Sequence, residues 1–377
     1  MQLKSISYSQ HDNSPSRWAI SGLDLGNVNL IVGKNASGKS WSTTIIKGLA
    51  AIVSGENKIS FKFGNYTATF DNDGQTIVYA LEVADAVVKK ESFSVDGKML
   101  MQRSEGGFGE IYYSKDARSL EFQCPPNELA CVARLDSVQH PFLQHLHSWG
   151  TSLFYYPFGT SLGKDSAVIL APEAPTLNPK DANSVIGIFR RGQKDFGQEF
   201  HSAVIGDMCA IGYDLEEVGT QAPKNIILGP STPASALVMM YAKERDLSGP
   251  TEQTEMSQGM FRALSLVIQL NYAALALKPG CIVIDDIGEG LDFERSCLLI
   301  EVLVNKATKS GVQLIMATND RFVMNYVPLE SWTILVRAKG GSRVINYKNS
   351  SHRFDEFKFT GLKNFDFMAT NFFEEEA

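Results

Sequence analysis

The stretch of sequence that decides the fold is Gly33-Lys34-Asn35-Ala36-Ser37-Gly38-Lys39-Ser40. It fits the pattern G-x-x-x-x-G-K-[ST], in which glycines let the backbone curl so that its N–H groups point at phosphate oxygens. In such a loop the lysine places its charge on the β and γ phosphates, and the final hydroxyl coordinates Mg²⁺. The apolar run 28–32 predicts a buried strand before the loop, and apolar residues at helical spacing in 40–53 predict a helix after it. Residues 33–40 are therefore predicted to bind the phosphates of a nucleotide.

Two acidic residues follow a second apolar run. Residues 281–284 predict a short buried strand, and Asp285 and Asp286 come directly after it. In open α/β sheets the carboxyl ends of such strands lie beside the phosphate loop. Asp285 is therefore predicted to hold Mg²⁺ together with Ser40, and Asp286 to polarise the attacking water. The alternative is that the two acids only cap the next helix.

Strands and helices alternate in the last part of the chain, which predicts a parallel sheet covered by helices on both faces. The segments behind this prediction are helices at 257–277 and 293–309 and strands at 237–242, 281–284 and 312–317. Between 58 and 122, β-branched and aromatic residues alternate and are interrupted by Asn-Asp-Gly, Asp-Gly and Gly-Gly. This second pattern predicts antiparallel hairpins.

Together these patterns predict an α/β fold of two lobes, with antiparallel β hairpins in the first lobe and a helical insert. The predicted segments are 1–55 with the phosphate loop, 56–124 with the antiparallel hairpins, 125–224 as a mostly helical insert, and 225–377 with a C-terminal hairpin and tail. One strand is expected near 152–157. Because residues 28–54 and 225–338 must close on one nucleotide site, the two ends of the chain are predicted to build one discontinuous unit.

Composition narrows the class of protein. The chain has 35 Lys and Arg against 42 Asp and Glu, a net charge of −7, whereas a protein that coats nucleic acid needs clustered cations. The 44% apolar share suffices for a buried core. Five cysteines without a C-x-x-C pair indicate neither a zinc ribbon nor disulfides. No signal peptide is evident, and the apolar stretch 263–277 is shorter than the roughly 20 residues of a membrane span. A cytoplasmic protein without a membrane partner is therefore predicted.

Further motifs resemble a known family. The stretch 285–292, Asp-Asp-Ile-Gly-Glu-Gly-Leu-Asp, is similar to the D-E-P-T-S-A-L-D block of ABC-type ATPases, the class that includes SMC proteins, RecF and the OLD family. Thr318-Asn319 stands where that family has its switch Thr-His. The signature motif, in the S-x-G-x-x-R form of RecF-like and OLD-like members, is similar to Met256-Ser257-Gln258-Gly259-Met260-Phe261-Arg262.

The resemblance implies an ABC-type ATPase head that binds ATP with Mg²⁺. Ser257, Gln258 and Gly259 would grip the γ-phosphate from the start of a helix, and Gly290-Leu291-Asp292 would form the D-loop. In this family the signature of one copy completes the phosphate site of another, so that ATP is sandwiched between two heads. A nucleotide-dependent homodimer is therefore expected.

The predicted catalytic residues are Lys39, Asp286 and Asn319. Two of them, Asp286 and Asn319, depart from the family's pattern. Asp286 stands in place of a glutamate and is one methylene shorter. Asn319 stands in place of a histidine and cannot carry a charge. Either change is expected to add about 1–3 kcal/mol to the barrier if the attacking water is displaced. A protein that binds ATP tightly and hydrolyses it slowly acts as a switch more than as a motor.

The spacing of the motifs narrows the subfamily. Ser257 follows Ser40 by 217 residues, which is too far for a transporter head, and the gap contains no heptads for a coiled-coil arm. The 57 residues after Asp320 are too few for a fused nuclease. What remains is a compact head with a modest insert, which resembles either RecF-like repair proteins or the stand-alone ATPase subunits of bacterial anti-phage systems of the Septu, PARIS and retron type. The runs 318–325 and 357–367 are more similar to the second group. In those systems the partner is a separately encoded effector, a nuclease or a toxin.

Two other functions stay open at this point. A RecF-like repair or replication ATPase would contact DNA, whereas a nucleotide-gated scaffold would bind ATP and barely hydrolyse it. DNA or RNA could contact a basic stripe formed by Arg190, Arg191 and Lys194. Solvated charge is the more common role of such a stripe.

Two contacts to the nucleotide also stay open. The family uses a glutamine to sense the γ-phosphate, and Gln123, Gln139 and Gln144 are the candidates. Either Trp18 or Tyr8 could stack on adenine, although packing within a hairpin is the more common role of such aromatic residues.

Overall fold

The computed structural model describes residues 1–12, 14–169, 177–224 and 237–374. The strands are, in chain order, β1 (Gln2–Gln10), β2 (Trp18–Asp24), β3 (Val28–Val32), β4 (Phe63–Asn72), β5 (Gln75–Ala84), β6 (Val87–Val95), β7 (Lys98–Arg103), β8 (Phe108–Tyr113), β9 (Arg118–Gln123), β10 (Leu153–Pro157), β11 (Val168–Ile169), β12 (Leu215–Gln221), β13 (Leu237–Glu244), β14 (Thr251–Glu252), β15 (Cys281–Asp285), β16 (Gln313–Ala317), β17 (Trp332–Ala338) and β18 (Gly341–Asn346). The helices are α1 (Lys39–Val53), α2 (Ala130–Ala133), α3 (Leu143–Thr151), α4 (Val185–Ala210), α5 (Gln258–Ala276), α6 (Phe293–Ser310), α7 (Arg321–Tyr326), α8 (Tyr347–Lys358) and α9 (Asn364–Ala369).

A parallel sheet joins the two ends of the chain. Its strands lie in the order β10, β15, β16, β3 and β17. Strand β3 pairs with β16 through Val28 and Leu314, and with β17 through Leu30 and Trp332. Every residue of β15 and β16 is buried, which explains why both strands are continuous apolar runs in the sequence. Because the strands are parallel, the carboxyl ends of β3, β10 and β15 lie at one edge of the sheet.

The same sheet continues through β18, β2 and β1 into the antiparallel strands β4 to β9. In the β4–β5 turn, Asp73 and Gly74 have φ of 53° and 90°, and in the β6–β7 turn, Asp96 and Gly97 have φ of 48° and 77°. Left-handed residues at both central positions are typical of the type I′ turns of two-residue hairpins. The hairpins predicted between 58 and 122 are confirmed, and so is the α/β fold class.

Two hydrophobic cores flank the parallel sheet. On one face, α1 and α3 share a core with residues from both parts of the sheet. On the other face, α4, α5 and α6 form the second core. Helix α5 is long and apolar enough to cross a membrane by length and composition alone, but 83% of its apolar stretch is buried inside the structure. Its composition is therefore explained by its place in the core.

The segment 125–224 contributes both to the sheet and to a helical layer. Strand β10 lies at the edge of the parallel sheet beside β15. Helix α4 has 26 residues with a break at Gly197 and packs against α5, and β12 pairs with β13 in a small second sheet. The predicted domain boundaries stay predictions, and residues 225–236, at one of these boundaries, lie outside the described residues.

Two helices follow the hairpin of β17 and β18. Helices α8 and α9 bury Phe354, Phe357 and Phe367 in the same core as α5. The ring centroids of Phe354 and Phe367 lie 4.7 Å apart in an edge-to-face arrangement. These aromatic contacts hold the C-terminal part of the described chain against the parallel sheet.

Candidate nucleotide-binding site

The predicted phosphate loop lies between β3 and α1, at the carboxyl edge of the sheet. Gly38 has a left-handed φ of 101° at the start of α1. A Cβ atom there would lie 2.7 Å from Ser342 Oγ and 3.0 Å from Trp18 Cζ2. Both the backbone conformation and the close approach therefore require glycine. The loop leads directly into the N-terminus of a 15-residue helix, where the helix dipole favours an anion.

Lys39 folds back over the loop. Its ammonium donates hydrogen bonds to the carbonyl oxygen of Gly33 at 2.8 Å and to that of Lys34 at 3.2 Å. Only 6% of the residue is exposed. Burial lowers the pKa of the Lys39 ammonium, and the carboxylates of Asp286 and Asp285 oppose that shift. A positive charge is thus held among the loop and the two acidic side chains.

Asp285 ends strand β15 next to Pro157 of β10. The residue is 7% exposed, burial raises the pKa of its carboxyl, and Asp286 raises it further. The hydroxyls of Ser40, Thr43 and Tyr155 oppose that shift. Its Oδ1 atom is buried and has no hydrogen-bond partner among the described residues. The unpaired carboxylate oxygen and the nearby serine and threonine hydroxyls together form a set of hard oxygen ligands, which fits Mg²⁺.

Asp286 has a left-handed φ of 54°, a conformation that aspartate tolerates better than most residues. Gly159, in the loop that follows β10, lies against its side chain. A Cβ atom on Gly159 would be 2.8 Å from Asp286 Cβ and 3.0 Å from Asp286 Oδ2. The position of the Asp286 carboxylate therefore depends on a glycine that lies outside the predicted nucleotide-binding motifs.

The predicted switch residues connect two loops of the site. Thr318, which is fully buried, donates a hydrogen bond from Oγ1 to the carbonyl oxygen of Ile287 at 2.7 Å. Asn319 donates from Nδ2 to Asn35 Oδ1 in the phosphate loop at 3.2 Å. The structure therefore brings Asn319 to the phosphate loop, 284 residues away in sequence.

The predicted signature residues begin α5 and contact the D-loop. Ser257 is exposed and caps the helix by accepting a hydrogen bond from the N–H of Met260 at 3.1 Å. Gln258 is half-buried. Gly259 packs so closely on Gly290 that a Cβ atom would collide with the carbonyl oxygen of Gly290. The predicted signature therefore contacts the predicted D-loop of the same chain. These contacts of Ser257 and Gly259 do not involve the phosphate loop.

Arg262 joins three parts of the site. Its guanidinium donates hydrogen bonds to the carbonyl oxygens of Gly159 at 2.7 Å, Thr160 at 2.9 Å and Glu289 at 2.8 Å. The residue is 8% exposed. The sixth position of the S-x-G-x-x-R pattern thus ties the signature helix to the loop after β10 and to the D-loop. The sequence motif contains this arginine but does not indicate its contacts.

Asp292 lies at the start of α6. Its side chain accepts a hydrogen bond from the N–H of Arg295 at 2.9 Å and forms an ion pair with the Arg295 guanidinium. The guanidinium carbon of Arg295 lies 4.5 Å from the ring centroid of Tyr213. Within one chain Asp292 is therefore a helix cap, and its predicted contact with nucleotide stays a prediction.

The three candidate glutamines lie on other elements. Gln123 ends β9, at the opposite end of the sheet order from β10. Gln139 accepts a backbone hydrogen bond from Ser114 in the segment before α3, and Gln144 lies in the first turn of α3. The strand that neighbours Asp285 is β10, and residues 158–164 after it contain no glutamine.

Solved structures of SMC head domains resemble this fold. One is a head bound to the C-winged helix domain of ScpA, with 14% identity, coverage of 92% of this chain and 97% of that chain, and a TM-score of 0.49. The SMC head domain from Thermotoga maritima has 14% identity, coverage of 92% and 99%, and a TM-score of 0.45. The Pyrococcus furiosus Smc head with an extended coiled coil, bound to the C-terminal domain of ScpA, has 10% identity, coverage of 95% and 99%, and a TM-score of 0.49. No family model matches the sequence, and a search of curated proteins finds no match.

Proposed function

We propose that the protein is a Mg²⁺-dependent ATPase of the ABC type that works as a dimeric, nucleotide-controlled switch. One observation carries the proposal: Lys39, Asp285 and Asp286 interact at a single phosphate loop, to which Asn319 also hydrogen bonds. A buried ammonium on a loop at a helix N-terminus is suited to a polyphosphate. Two carboxylates at the carboxyl end of β15, in the same parallel sheet, are suited to a divalent cation and to activation of water.

Each side chain has a distinct role in this proposal. Lys39 brings positive charge to the phosphates, and Asp286 orients the attacking water and accepts its proton. Ser40 and Asp285 would hold Mg²⁺, which when bound supplies positive charge to the phosphate oxygens. Asn319, which donates a hydrogen bond to Asn35 in the loop, would contact the terminal phosphate. This assignment is consistent with slow turnover, because neither the short Asp286 nor the neutral Asn319 is the residue that the family uses.

Self-association completes the proposed site. Ser257 is exposed, and Gly259 contacts the D-loop of its own chain. A nucleotide bound by residues 33–40 would therefore meet the signature of a second copy. In a two-fold symmetric dimer each of the two sites would combine the phosphate loop of one chain with the signature of the other.

Mixing two inactive variants tests this arrangement. We expect Lys39→Ala and Ser257→Arg each to lack ATPase activity alone, because each disables both sites of its homodimer. In an equimolar mixture, half of the dimers contain both variants and have one intact site, so activity should recover to about one quarter of wild type. Phosphate release is the measurement. A mixture that stays inactive, although an affinity tag on one variant captures the other, would contradict a site shared between two chains.

Substituting Gly159 tests the role of Asp286. A Cβ atom at this position must displace the Asp286 side chain, and a displacement of about 1 Å can reduce a reaction rate by about 100-fold. We expect Gly159→Ala to lower turnover by about 10- to 100-fold while ATP affinity changes little. Gly206→Ala in α4 is the matched control, because among the described residues no atom outside its own stretch of helix backbone lies within 4 Å of its Cβ position. Wild-type turnover in Gly159→Ala would show that the contact with Asp286 is unimportant.

The proposed target of the switch is a separately encoded effector, a nuclease or toxin of an anti-phage system. The motif resemblance supports this proposal, and the net charge of −7 favours a protein partner over a nucleic acid. In the basic stripe, Arg191 is paired with Asp195 at 2.5 Å, which reduces its availability to phosphate. Co-purification with the product of a neighbouring gene would support the effector. DNA binding that weakens steeply with salt would instead favour a repair or replication role.

A further inference from the structure

Tyr155 lies beside the predicted metal ligand. It is on β10, opposite Val283 of β15, two residues before the pair of Pro157 and Asp285. Because side chains alternate along a strand, Tyr155 and Asp285 lie on the same face of the sheet. That face is the one covered by α1, since Tyr155 packs with the core that contains α1. The Tyr155 hydroxyl lies 3.5 Å from Asp285 Oδ2.

The tyrosine ring also contacts helix α1. The Lys47 ammonium, from α1, lies 4.7 Å from the centroid of the ring. A tyrosine hydroxyl is a hydrogen-bond donor, so it can donate its hydrogen to a carboxylate.

The two oxygens of Asp285 have different surroundings. Oδ2 accepts the hydrogen bond from Tyr155, whereas Oδ1 is buried without a partner among the described residues. When a side chain donates a hydrogen bond to one oxygen of a carboxylate, the orientation of the other oxygen is fixed as well. In metal sites such outer partners orient the ligand and raise the affinity for the ion.

We propose that Tyr155 is a positioning residue for the metal: it holds Asp285 by Oδ2 so that Oδ1 is available to Mg²⁺. This inference rests on the proposed function. Tyr155 acts through Asp285 and does not itself touch the nucleotide.

Removing one hydroxyl tests the inference. Tyr155→Phe keeps the ring and its contact with Lys47 and deletes only the donor to Asp285. Tyr156→Phe is the matched control, because Tyr156 is the next residue on the same strand, packs in the opposite core, and has a buried hydroxyl without a partner among the described residues. The measurement is the dissociation constant of the non-hydrolysable analogue AMP-PNP, once with Mg²⁺ and once with EDTA. The dissociation constant with EDTA divided by the dissociation constant with Mg²⁺ is the ratio that reports how much the metal strengthens nucleotide binding.

In Tyr155→Phe we expect this ratio to fall by about tenfold or more, within the range for outer partners of metal ligands, with the EDTA constant unchanged. Tyr156→Phe should keep the wild-type ratio. A wild-type ratio in Tyr155→Phe would overturn the inference while leaving the proposed function intact. Equal weakening with Mg²⁺ and with EDTA would also overturn it, because it would indicate a purely structural tyrosine. A wild-type protein that binds no AMP-PNP would overturn the proposed function itself.

Discussion

Lys39→Ala is expected to abolish ATP binding at working concentrations. The substitution removes the one ammonium that the loop holds with the carbonyl oxygens of Gly33 and Lys34. It also leaves the carboxylates of Asp285 and Asp286 without the charge that faces them. Losing one partner of a buried charged contact costs about 2–5 kcal/mol, which is a loss of affinity of roughly 30- to several-thousand-fold.

Isothermal titration with AMP-PNP and Mg²⁺ checks this expectation. Lys58→Ala is the control, because it removes the same charge from an exposed lysine beyond the other end of α1. It should bind as the wild type does, which separates the effect of the site from the effect of net charge. Binding by Lys39→Ala within about threefold of wild type would contradict the assignment of residues 33–40 as the phosphate loop.

Asp286→Asn is expected to stop turnover and to trap the dimer. Asparagine has nearly the same size as aspartate and tolerates the left-handed φ of 54°, so the backbone and the contact with Gly159 should persist. The amide cannot accept a proton from water as a carboxylate does. Loss of a general base lowers the rate by about 10²–10⁴-fold, whereas binding should be kept, because Lys39 and Asp285 remain.

Phosphate release and light scattering in the presence of ATP measure the two effects separately. Asp246→Asn, at an exposed position, is the control for the loss of one negative charge. A wild-type protein that hydrolyses ATP no faster than Asp286→Asn would favour the nucleotide-gated scaffold. A variant that keeps wild-type turnover would show that another group activates the water.

The structure also changes how the predicted residues can be interpreted. Asp292, assigned to the nucleotide by resemblance, caps α6 and pairs with Arg295 within its own chain. A contact with a second copy would have to compete with that pair. Asn319 hydrogen bonds to the phosphate loop through Asn35, although it lacks the charge of the histidine that the family uses.

The sequence by itself determined the loop between β3 and α1, the strand that ends in Asp285, helix α5 and the α/β fold class. Each of these is local: a few adjacent residues specify a turn, a run of apolar side chains or a helix cap, so a contiguous pattern records it. The hairpins of the antiparallel strands were predictable for the same reason, since two residues such as Asp96 and Gly97 define the turn.

Only the tertiary structure decided which distant groups surround those motifs. Tyr155 and Asp285 are 130 residues apart, and Arg262 and Gly159 are 103 residues apart. They meet because β10 pairs with β15 in parallel and because α5 packs over the loop after β10. Such contacts depend on strand order and register. No local sequence pattern specifies these for β10 and β15, because two parallel strands are not joined by a tight turn of their own. For that reason the motifs predict where a nucleotide binds, whereas the fold decides which distant side chains contact the predicted metal ligand and the predicted base.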